Sequence, residues 1–321
     1  MQKHIFAALT ALCILSCSGA VSGFGNAQAF AEEQDRLQTD SADESLFYEF
    51  YKKAEEQGLS RSEAGEYLER LLADDIFEDG VMELTGLIID DMDGNGLNDM
   101  FVMLRSCEEK GFYGSGCAWF YMNEDEPYRF VEKGCSYDGL FDLFAEDIDN
   151  DGNVEIVLSA EGDGCGAAGD FYKAVFKYKS DDTGCGIERM NLPSDLWEGY
   201  DDQGIMVSVY QEPESNRYSA YCSYFKEILY FDAENVSAPG EEPMWAGGNE
   251  RGFFDLRPVK YRGKNALQAS EYLYGEGGSA HEVATAQFII KWDEEGNGYV
   301  AEWWIDNDRN GKDRYEKEKQ M

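Results

Sequence analysis

The sequence predicts a mainly β domain of short antiparallel strands, preceded by a short N-terminal helical hairpin. Many short apolar and aromatic runs are separated by Gly, Asn and Asp, a pattern typical of strands joined by turns in a sandwich, barrel or propeller. Two aspartate-rich loops open directly into such runs. Hydrophobic residues make up 43% of the chain and aromatic residues 14%, so it can bury a core despite a net charge of -38.

Residues 1–31 are predicted to be a signal peptide. A basic start is followed by the apolar run 5–15, which is too short to span a bilayer. Two processing schemes stay open. The leader is cleaved after Ala29 or Ala31, or Cys17 becomes the lipid anchor of a lipoprotein.

Residues 46–80 are predicted to form the helical hairpin, behind a polar linker at 32–45 that lacks apolar periodicity. Apolar side chains recur at three- and four-residue steps until Gly58, a residue typical of helix ends. Ser60 followed by Glu63 matches a capping box, so a second helix is predicted to begin there.

Residues 81–321 are predicted to form the β-rich, calcium-binding repeat domain. The candidate strands share β-branched and aromatic residues and have turn residues at their ends. They are 87–89, 101–104, 118–122, 128–131, 154–158, 172–178, 205–210, 218–221, 227–231, 267–274, 284–292 and 299–304. Their aromatic residues are expected in the core, with a sugar-stacking face as the alternative. These residues include Trp119, Tyr121, Trp292, Trp303 and Trp304.

Two loops carry the candidate metal ligands: loop 1, residues 91–99, and loop 2, residues 147–155. Each has oxygen-bearing side chains at loop positions 1, 3 and 5, glycine at 6, a backbone carbonyl at 7 and an acid at 9. Calcium prefers about six to eight oxygen ligands, and the glycine permits a sharp turn. The predicted Ca2+ ligands are Asp91, Asp93, Asn95, Leu97 and Asp99 in loop 1, and Asp147, Asp149, Asp151, Asn153 and Glu155 in loop 2.

The loops differ from an EF-hand and resemble another calcium motif. An EF-hand needs a bidentate Glu at position 12, where these loops have Val102 and Leu158 inside strand-like runs. An Asp-x-Asp-Gly-Asn/Asp-Gly-x-x-Asp loop entering a hydrophobic strand resembles the FG-GAP or VCBS repeat of integrin-like β-propellers. Loop 2 departs from that signature at Asn150 and Glu155, although both changes keep the oxygen count. The resemblance implies calcium between neighbouring strands of a blade and a surface or secreted binding module.

A third loop, loop 3, covers residues 306–314. It has oxygens at Asp306, Asp308 and Asn310 and a glycine at position 6, but Arg314 occupies position 9. The spacing of the three loops suggests about five units, with blades of about 40 to 50 residues. The predicted fold is therefore a small or incomplete β-propeller-like domain.

The charge and the cysteine content limit the kinds of partner and metal that the sequence predicts. The net charge of -38 repels phosphate backbones and anionic lipids, which disfavours nucleic acid and attracts cations. No run beyond the leader reaches membrane length, so no transmembrane span is predicted. The six cysteines beyond the predicted leader suggest disulfides of unassigned pairing. They are Cys107, Cys117, Cys135, Cys165, Cys185 and Cys222. Zinc is disfavoured because Cys-x-x-Cys is absent and His281 is the one histidine beyond the leader.

The predicted function is an exported calcium-binding module, with structural Ca2+ in its loops, that contacts an unidentified protein or glycan at the cell surface. No nucleophile elbow or phosphate-binding loop is present in the sequence, so we do not expect an enzyme. The alternative is a secreted, glycosidase-like hydrolase in which calcium is a scaffold. That alternative needs a cleft with two carboxyl groups about 5 to 10 Å apart, one with a raised pKa.

Overall fold

The structure is a computed structural model whose mainly β architecture contains four antiparallel sheets of four strands each. It describes residues 46–73, 82–106, 117–123, 128–130, 141–161, 171–181, 184–196, 203–212, 217–233, 244–248, 252–275 and 282–307. The predicted signal peptide and linker lie outside these residues.

The predicted helical hairpin is confirmed. Helix α1 spans residues 46–56, and helix α2 spans Arg61–Leu71. Gly58 lies between them with a φ of 91°, a conformation that glycine adopts without strain. The capping box is formed: the Glu63 N–H donates to Ser60 Oγ at 3.3 Å, and the Ser60 N–H donates to Glu63 Oε2 at 3.0 Å. Among the described residues, no helix has the length and apolarity required to cross a membrane.

Sheets 1 and 2 are four-stranded meanders in which each strand pairs with the next. Sheet 1 consists of β1 (Met82–Asp90), β2 (Asp99–Ser106), β3 (Cys117–Met122) and β4 (Tyr128–Phe130). Sheet 2 consists of β5 (Phe141–Glu146), β6 (Glu155–Glu161), β7 (Phe171–Asp181) and β8 (Gly184–Arg189).

Sheet 4 is a third meander, whereas sheet 3 has the order β11-β10-β9-β12. Sheet 3 consists of β9 (Val207–Gln211), β10 (Arg217–Cys222), β11 (Glu227–Asp232) and β12 (Met244–Gly248). Sheet 4 consists of β13 (Asp255–Tyr261), β14 (Lys264–Tyr274), β15 (Glu282–Trp292) and β16 (Gly298–Asp306).

Sheets 1 and 2 are stacked face to face between other apolar layers. The helical hairpin packs on the face of sheet 1 that carries Val102 and Phe120. The other face of sheet 1 meets sheet 2 through an aromatic layer in which the Trp119 and Tyr172 rings lie 5.5 Å apart. The opposite face of sheet 2, which carries Val157, shares a core with sheets 3 and 4. Trp119, Tyr121, Trp292 and Trp303 are buried, as the core interpretation predicted.

Edge strand β5 lies beside edge strands β1 and β13, as the inner strands of neighbouring propeller blades do. A groove of about 560 Å³ runs along β1 and β5. Gln57 from the hairpin satisfies the edge of β1, because its amide donates to the Leu87 carbonyl and accepts from the Ile89 N–H, each at 2.9 Å. Sheets stacked in this way fit the predicted small or incomplete β-propeller-like domain.

The number of sheets differs from the expected five or so units. The described residues form four sheets, and only sheets 1 and 2 carry an aspartate loop between their first and second strands. In sheet 4 that connection is the two-residue turn Arg262-Gly263, with φ values of 51° and 80°. Such a tight turn leaves no aspartate signature, so the aspartate loops do not mark every sheet, and the number of blades in the whole chain stays a prediction.

Candidate metal centre

Loop 1 connects β1 to β2 at the end of sheet 1. Asp90 and Asp99 form the last pair of the β1–β2 ladder, so the loop begins and ends at one point of the sheet. Gly94 and Gly96 have φ values of 74° and 87°, which reverse the chain within a few residues. The turn brings the side chains of Asp91, Asp93 and Asp99 together.

Three carboxylates converge in loop 1. Asp91, Asp93 and Asp99 each offer an oxygen within 4.8 Å of the others. Asp99 Oδ2 accepts from the Met92 N–H at 2.9 Å and from the Asp93 N–H at 3.0 Å. Asp91 Oδ2 accepts from the Gly96 N–H at 2.9 Å, while Asp91 Oδ1 is buried without a hydrogen-bond partner. Backbone donors thus fix the carboxylates and leave oxygen lone pairs for a cation.

The remaining loop 1 positions shape the turn. The Asn95 side chain accepts from the Leu97 N–H at 2.7 Å and donates to Asp93 Oδ2 at 3.1 Å. The Leu97 side chain is exposed, and its backbone carbonyl as a ligand stays a prediction.

The electrostatics of loop 1 favour a bound cation. Asp99 is 1% exposed, and its burial, together with the charge of Asp93, raises its pKa to about 6. Tyr121 is also buried beside this cluster, and burial together with the charges of Asp99 and Asp93 raises its pKa. In the described part of the chain, no lysine or arginine forms an ion pair with Asp91, Asp93 or Asp99. Within the described residues, no basic side chain therefore offsets the negative charge of this cluster.

Loop 2 reproduces the hydrogen-bond frame of loop 1 between β5 and β6. Glu155 Oε2 accepts from the Ile148 N–H at 2.9 Å, as Asp99 does from Met92. Asp147 Oδ2 accepts from the Gly152 N–H at 3.2 Å, and Asp147 Oδ1 is buried without a partner. Asp147, Asp149 and Asp151 again bring oxygens within 4.8 Å of one another.

Two substitutions relative to loop 1 keep the geometry of loop 2. Asn150 has a φ of 66°, close to the 74° of Gly94, because asparagine tolerates the left-handed region. The Asn153 N–H donates to Asp151 Oδ1 at 2.9 Å, as Leu97 does to Asn95. The Asn153 backbone carbonyl as a ligand stays a prediction.

Loop 2 differs from loop 1 in containing a lysine side chain, which the sequence analysis missed. Lys177 on β7 donates to Asp149 Oδ2, and its Nζ lies 2.6 Å from Asp151 Oδ2 and 3.2 Å from Glu155 Oε1. Lys177 and Glu155 therefore form an ion pair, and the Glu155 side chain is completely buried. Burial, followed by the charge of Asp149, raises the pKa of Glu155 to about 7, although Lys177 opposes the shift.

The two loops touch each other, and loop 2 also contacts sheet 4. A Cβ on Gly94 would lie 2.4 Å from Asn153 Oδ1. Asn150 accepts from the Asn265 N–H at 2.9 Å and donates to the Asn265 carbonyl at 3.0 Å. The Asn265 side chain donates to the Asp147 carbonyl at 2.6 Å. Loop 2 is therefore fixed by a hairpin far away in sequence, which spacing within the loop does not reveal.

Loop 3 has a different place in the fold. Asp306 is the last residue of β16, the fourth strand of sheet 4, whereas loops 1 and 2 follow the first strand of their sheets. The Asp306 carbonyl accepts from Thr285 Oγ1 at 3.2 Å. Asp308 and Asn310 lie outside the described residues, so metal binding by loop 3 stays a prediction.

A buried glutamate outside the loops plays a role similar to their closing acid. Glu271 on β14 is completely buried and accepts from the Ile205 N–H at 2.7 Å, as Glu155 accepts from Ile148. Here the acid comes from another strand rather than from the same loop. No local spacing could have identified it.

The cysteines provide no disulfide among the side chains that the structure describes. Cys222 on β10 is buried with a free thiol, and burial raises its pKa to about 11. The side chains of the other five predicted disulfide cysteines lie outside the described residues. Their pairing stays a prediction.

The groove offers no support for the hydrolase alternative. Two of its lining residues are acids, Asp90 and Glu146, and Lys260 lies 3.2 Å from Glu146 Oε1. Among the described carboxyl groups, burial raises the pKa of Asp99, Glu155 and Asp255, and none of the three lines this groove.

Comparison of the chain with known protein families, with curated proteins and with solved structures found no match. The site must therefore be interpreted from its own geometry and charge.

Proposed function

We propose that this chain is an exported calcium-binding module in which the aspartate loops hold structural Ca2+. The observation that carries the proposal is the convergence of Asp91, Asp93 and Asp99 without a cationic partner among the described residues. Hard oxygen ligands in a tight loop suit Ca2+, and thiolate or imidazole ligands that would favour zinc are absent from the cluster.

The arrangement suits a structural role for the metal. Each loop ties the first two strands of a sheet together, and the two loops meet at Gly94 and Asn153. A cation bound in either loop would fix this end of both sheets. Extracellular calcium modules typically have dissociation constants of about 0.1 to 1 mM, a range that matches a stabilising ion rather than a signalling one.

We further propose that the module contacts a protein or glycan at the cell surface. The export signal and the alternative anchor at Cys17 support this location on sequence alone. Sheet 3 supports the contact because Tyr210, Tyr221 and Tyr230 are exposed on its strands. Tyrosine supplies large contact area together with a polar group, as binding surfaces require.

The test is thermal unfolding of the full mature protein in chelator and in about 10 mM calcium, at matched ionic strength. With dissociation constants of about 0.1 to 1 mM, we expect calcium to raise the melting temperature by about 3 to 10 °C. Asp93→Ala should remove most of that rise.

The matched control is Asp293→Ala. The Asp293 carboxylate accepts from the Glu295 and Asn297 N–H groups, each at 2.9 Å, in an exposed turn outside the aspartate clusters. This variant should lose turn stability equally with and without calcium. If calcium shifts neither the wild type nor Asp293→Ala, the metal function is wrong.

A further inference from the structure

The two loops carry the same net charge by different means. Position 5 is Asn95 in loop 1 and Asp151 in loop 2, so loop 2 contains an additional carboxylate. The Lys177 ammonium lies 2.6 Å from Asp151 Oδ2 and offsets that additional charge. Loop 1 therefore has three carboxylates and no ammonium, while loop 2 has four carboxylates and one ammonium.

Sheet register shows that the lysine has a neutral counterpart in sheet 1. Met100, which follows the closing acid of loop 1, pairs with Met122, and the next residue on that side is Asn123. Ile156, which follows the closing acid of loop 2, pairs with Phe176, and the next residue is Lys177. The residue beside the loop is thus asparagine in one sheet and lysine in the other.

The Lys177 ammonium contacts the carboxylate oxygens that a metal ion in loop 2 would need as ligands. Lys177 contacts three of the four acids of loop 2, namely Asp149, Asp151 and Glu155. A calcium ion in loop 2 must displace it, because both cations require the same oxygens. Charge-assisted hydrogen bonds of this kind are about twice as strong as neutral ones.

We propose that Lys177 is a built-in counter-cation of loop 2, so that calcium binds first and more tightly at loop 1. The inference rests on the proposed calcium function and assigns different roles to its two loops. Calcium can enter loop 1 without displacing a cation among the described residues. In loop 2 it must first displace the Lys177 ammonium.

The experiment is a calorimetric calcium titration of the full mature chain and its variants. In the wild type we expect one tight site, lost in Asp93→Ala and kept in Asp149→Ala. Loop 2 should bind about 10- to 100-fold more weakly, since at least one charge-assisted hydrogen bond must be broken first.

Two variants should open loop 2. Lys177→Asn places the residue type of Asn123 at the equivalent position and should add a second tight site. Because it leaves four unpaired acids, it can fail to fold without metal. Asp151→Asn combined with Lys177→Asn avoids this difficulty by giving loop 2 the acid count of loop 1, and it should bind two ions with affinities within about tenfold of each other.

The charge control is Lys179→Asn. Lys179 is on the same strand and forms an exposed ion pair with Glu188 at 2.5 Å. This variant changes the net charge equally and should still bind one ion tightly. The proposed role of Lys177 would be overturned by two equal sites in the wild type. It would also be overturned by a single Asp93-dependent site in both the wild type and the double variant. Either result would leave the calcium function standing. No binding in any of these proteins would overturn the calcium function as well.

Discussion

Loop 1 and loop 2 have the same backbone hydrogen bonds but different charges inside them. In both, the closing acid accepts from the N–H at position 2, and the first aspartate accepts from the glycine at position 6. Loop 1 leaves its carboxylates without a cation among the described residues, whereas loop 2 has Lys177 within them. The same frame of backbone donors can thus serve either a metal or an internal ammonium, and the frame alone does not distinguish the two.

The largest expected effect on stability comes from removing the Lys177 ammonium from loop 2. In chelator, Lys177→Met should lower the free energy of unfolding by about 2 to 3 kcal/mol, because it leaves buried carboxylates unpaired. The loss is below that of a fully buried pair, since the lysine side chain is 25% exposed. Chemical denaturation measures the change. Calcium should restore part of it, and Lys179→Met is the control in which no comparable loss is expected.

The next effect is a pH dependence of the metal-free protein. The folded-state pKa is raised from 3.8 to about 6 for Asp99 and from 4.5 to about 7 for Glu155. The folded state therefore binds more protons than the unfolded state in this window. Each group should cost about 1 kcal/mol or more as the pH rises from about 4 to 7.

Denaturation in chelator at several pH values measures this effect. Asp99→Asn should remove the part of the pH dependence that comes from loop 1, and Glu155→Gln should remove the part that comes from loop 2. Calcium should reverse the slope because it stabilises the ionised carboxylates. A metal-free protein whose stability increases steadily from pH 4 to pH 7 would contradict the charge assignment of both loops.

A smaller effect separates backbone strain from contact between the loops. Gly94→Ala should destabilise the protein by about 1 to 2 kcal/mol, because φ is 74° and the new Cβ would lie 2.4 Å from Asn153 Oδ1. Gly96 has a φ of 87°, but a Cβ at this position would have open space around it. In Gly96→Ala, backbone strain alone should therefore destabilise the protein by about 1 kcal/mol. Thermal denaturation of both variants measures the difference. Equal losses would mean that the contact between the loops contributes nothing.

The smallest expected effect concerns loop 3. Asp308→Ala should change the calcium-dependent stabilisation by less than about 0.5 kcal/mol, since loop 3 follows the fourth strand of sheet 4 and not, as loops 1 and 2 do, the first strand of a sheet. Measuring the melting temperature of the variant at increasing calcium concentrations tests this prediction. A loss as large as that of Asp93→Ala would make loop 3 a third structural site.

The sequence predicted the features that depend on local spacing. The capping box at Ser60 and the carboxylate clusters of both loops involve residues close together in the sequence, so the residue pattern determines them. The unpredicted strands were β5, β8, β12 and β13, and all four are edges of their sheets. An edge strand is paired on one side only, and its apolar pattern is correspondingly weak.

The features that sequence could not predict involve long separations. Lys177 reaches loop 2 only because β7 pairs with β6 in one register, and Asn265 reaches it from another sheet. A one-residue shift of that register would direct Lys177 to the opposite face. Strand pairing therefore decides whether a lysine reaches the carboxylates of a loop, and residue spacing within the loop does not reveal it.

The central claim is best tested with crystals of the mature protein soaked in a lanthanide that replaces calcium, with anomalous scattering used to locate the ion. We predict a strong peak among Asp91, Asp93 and Asp99, and Lys177 still in contact with Asp149 and Asp151 in loop 2. A peak in loop 2 with Lys177 displaced, accompanied by none in loop 1, would contradict the account.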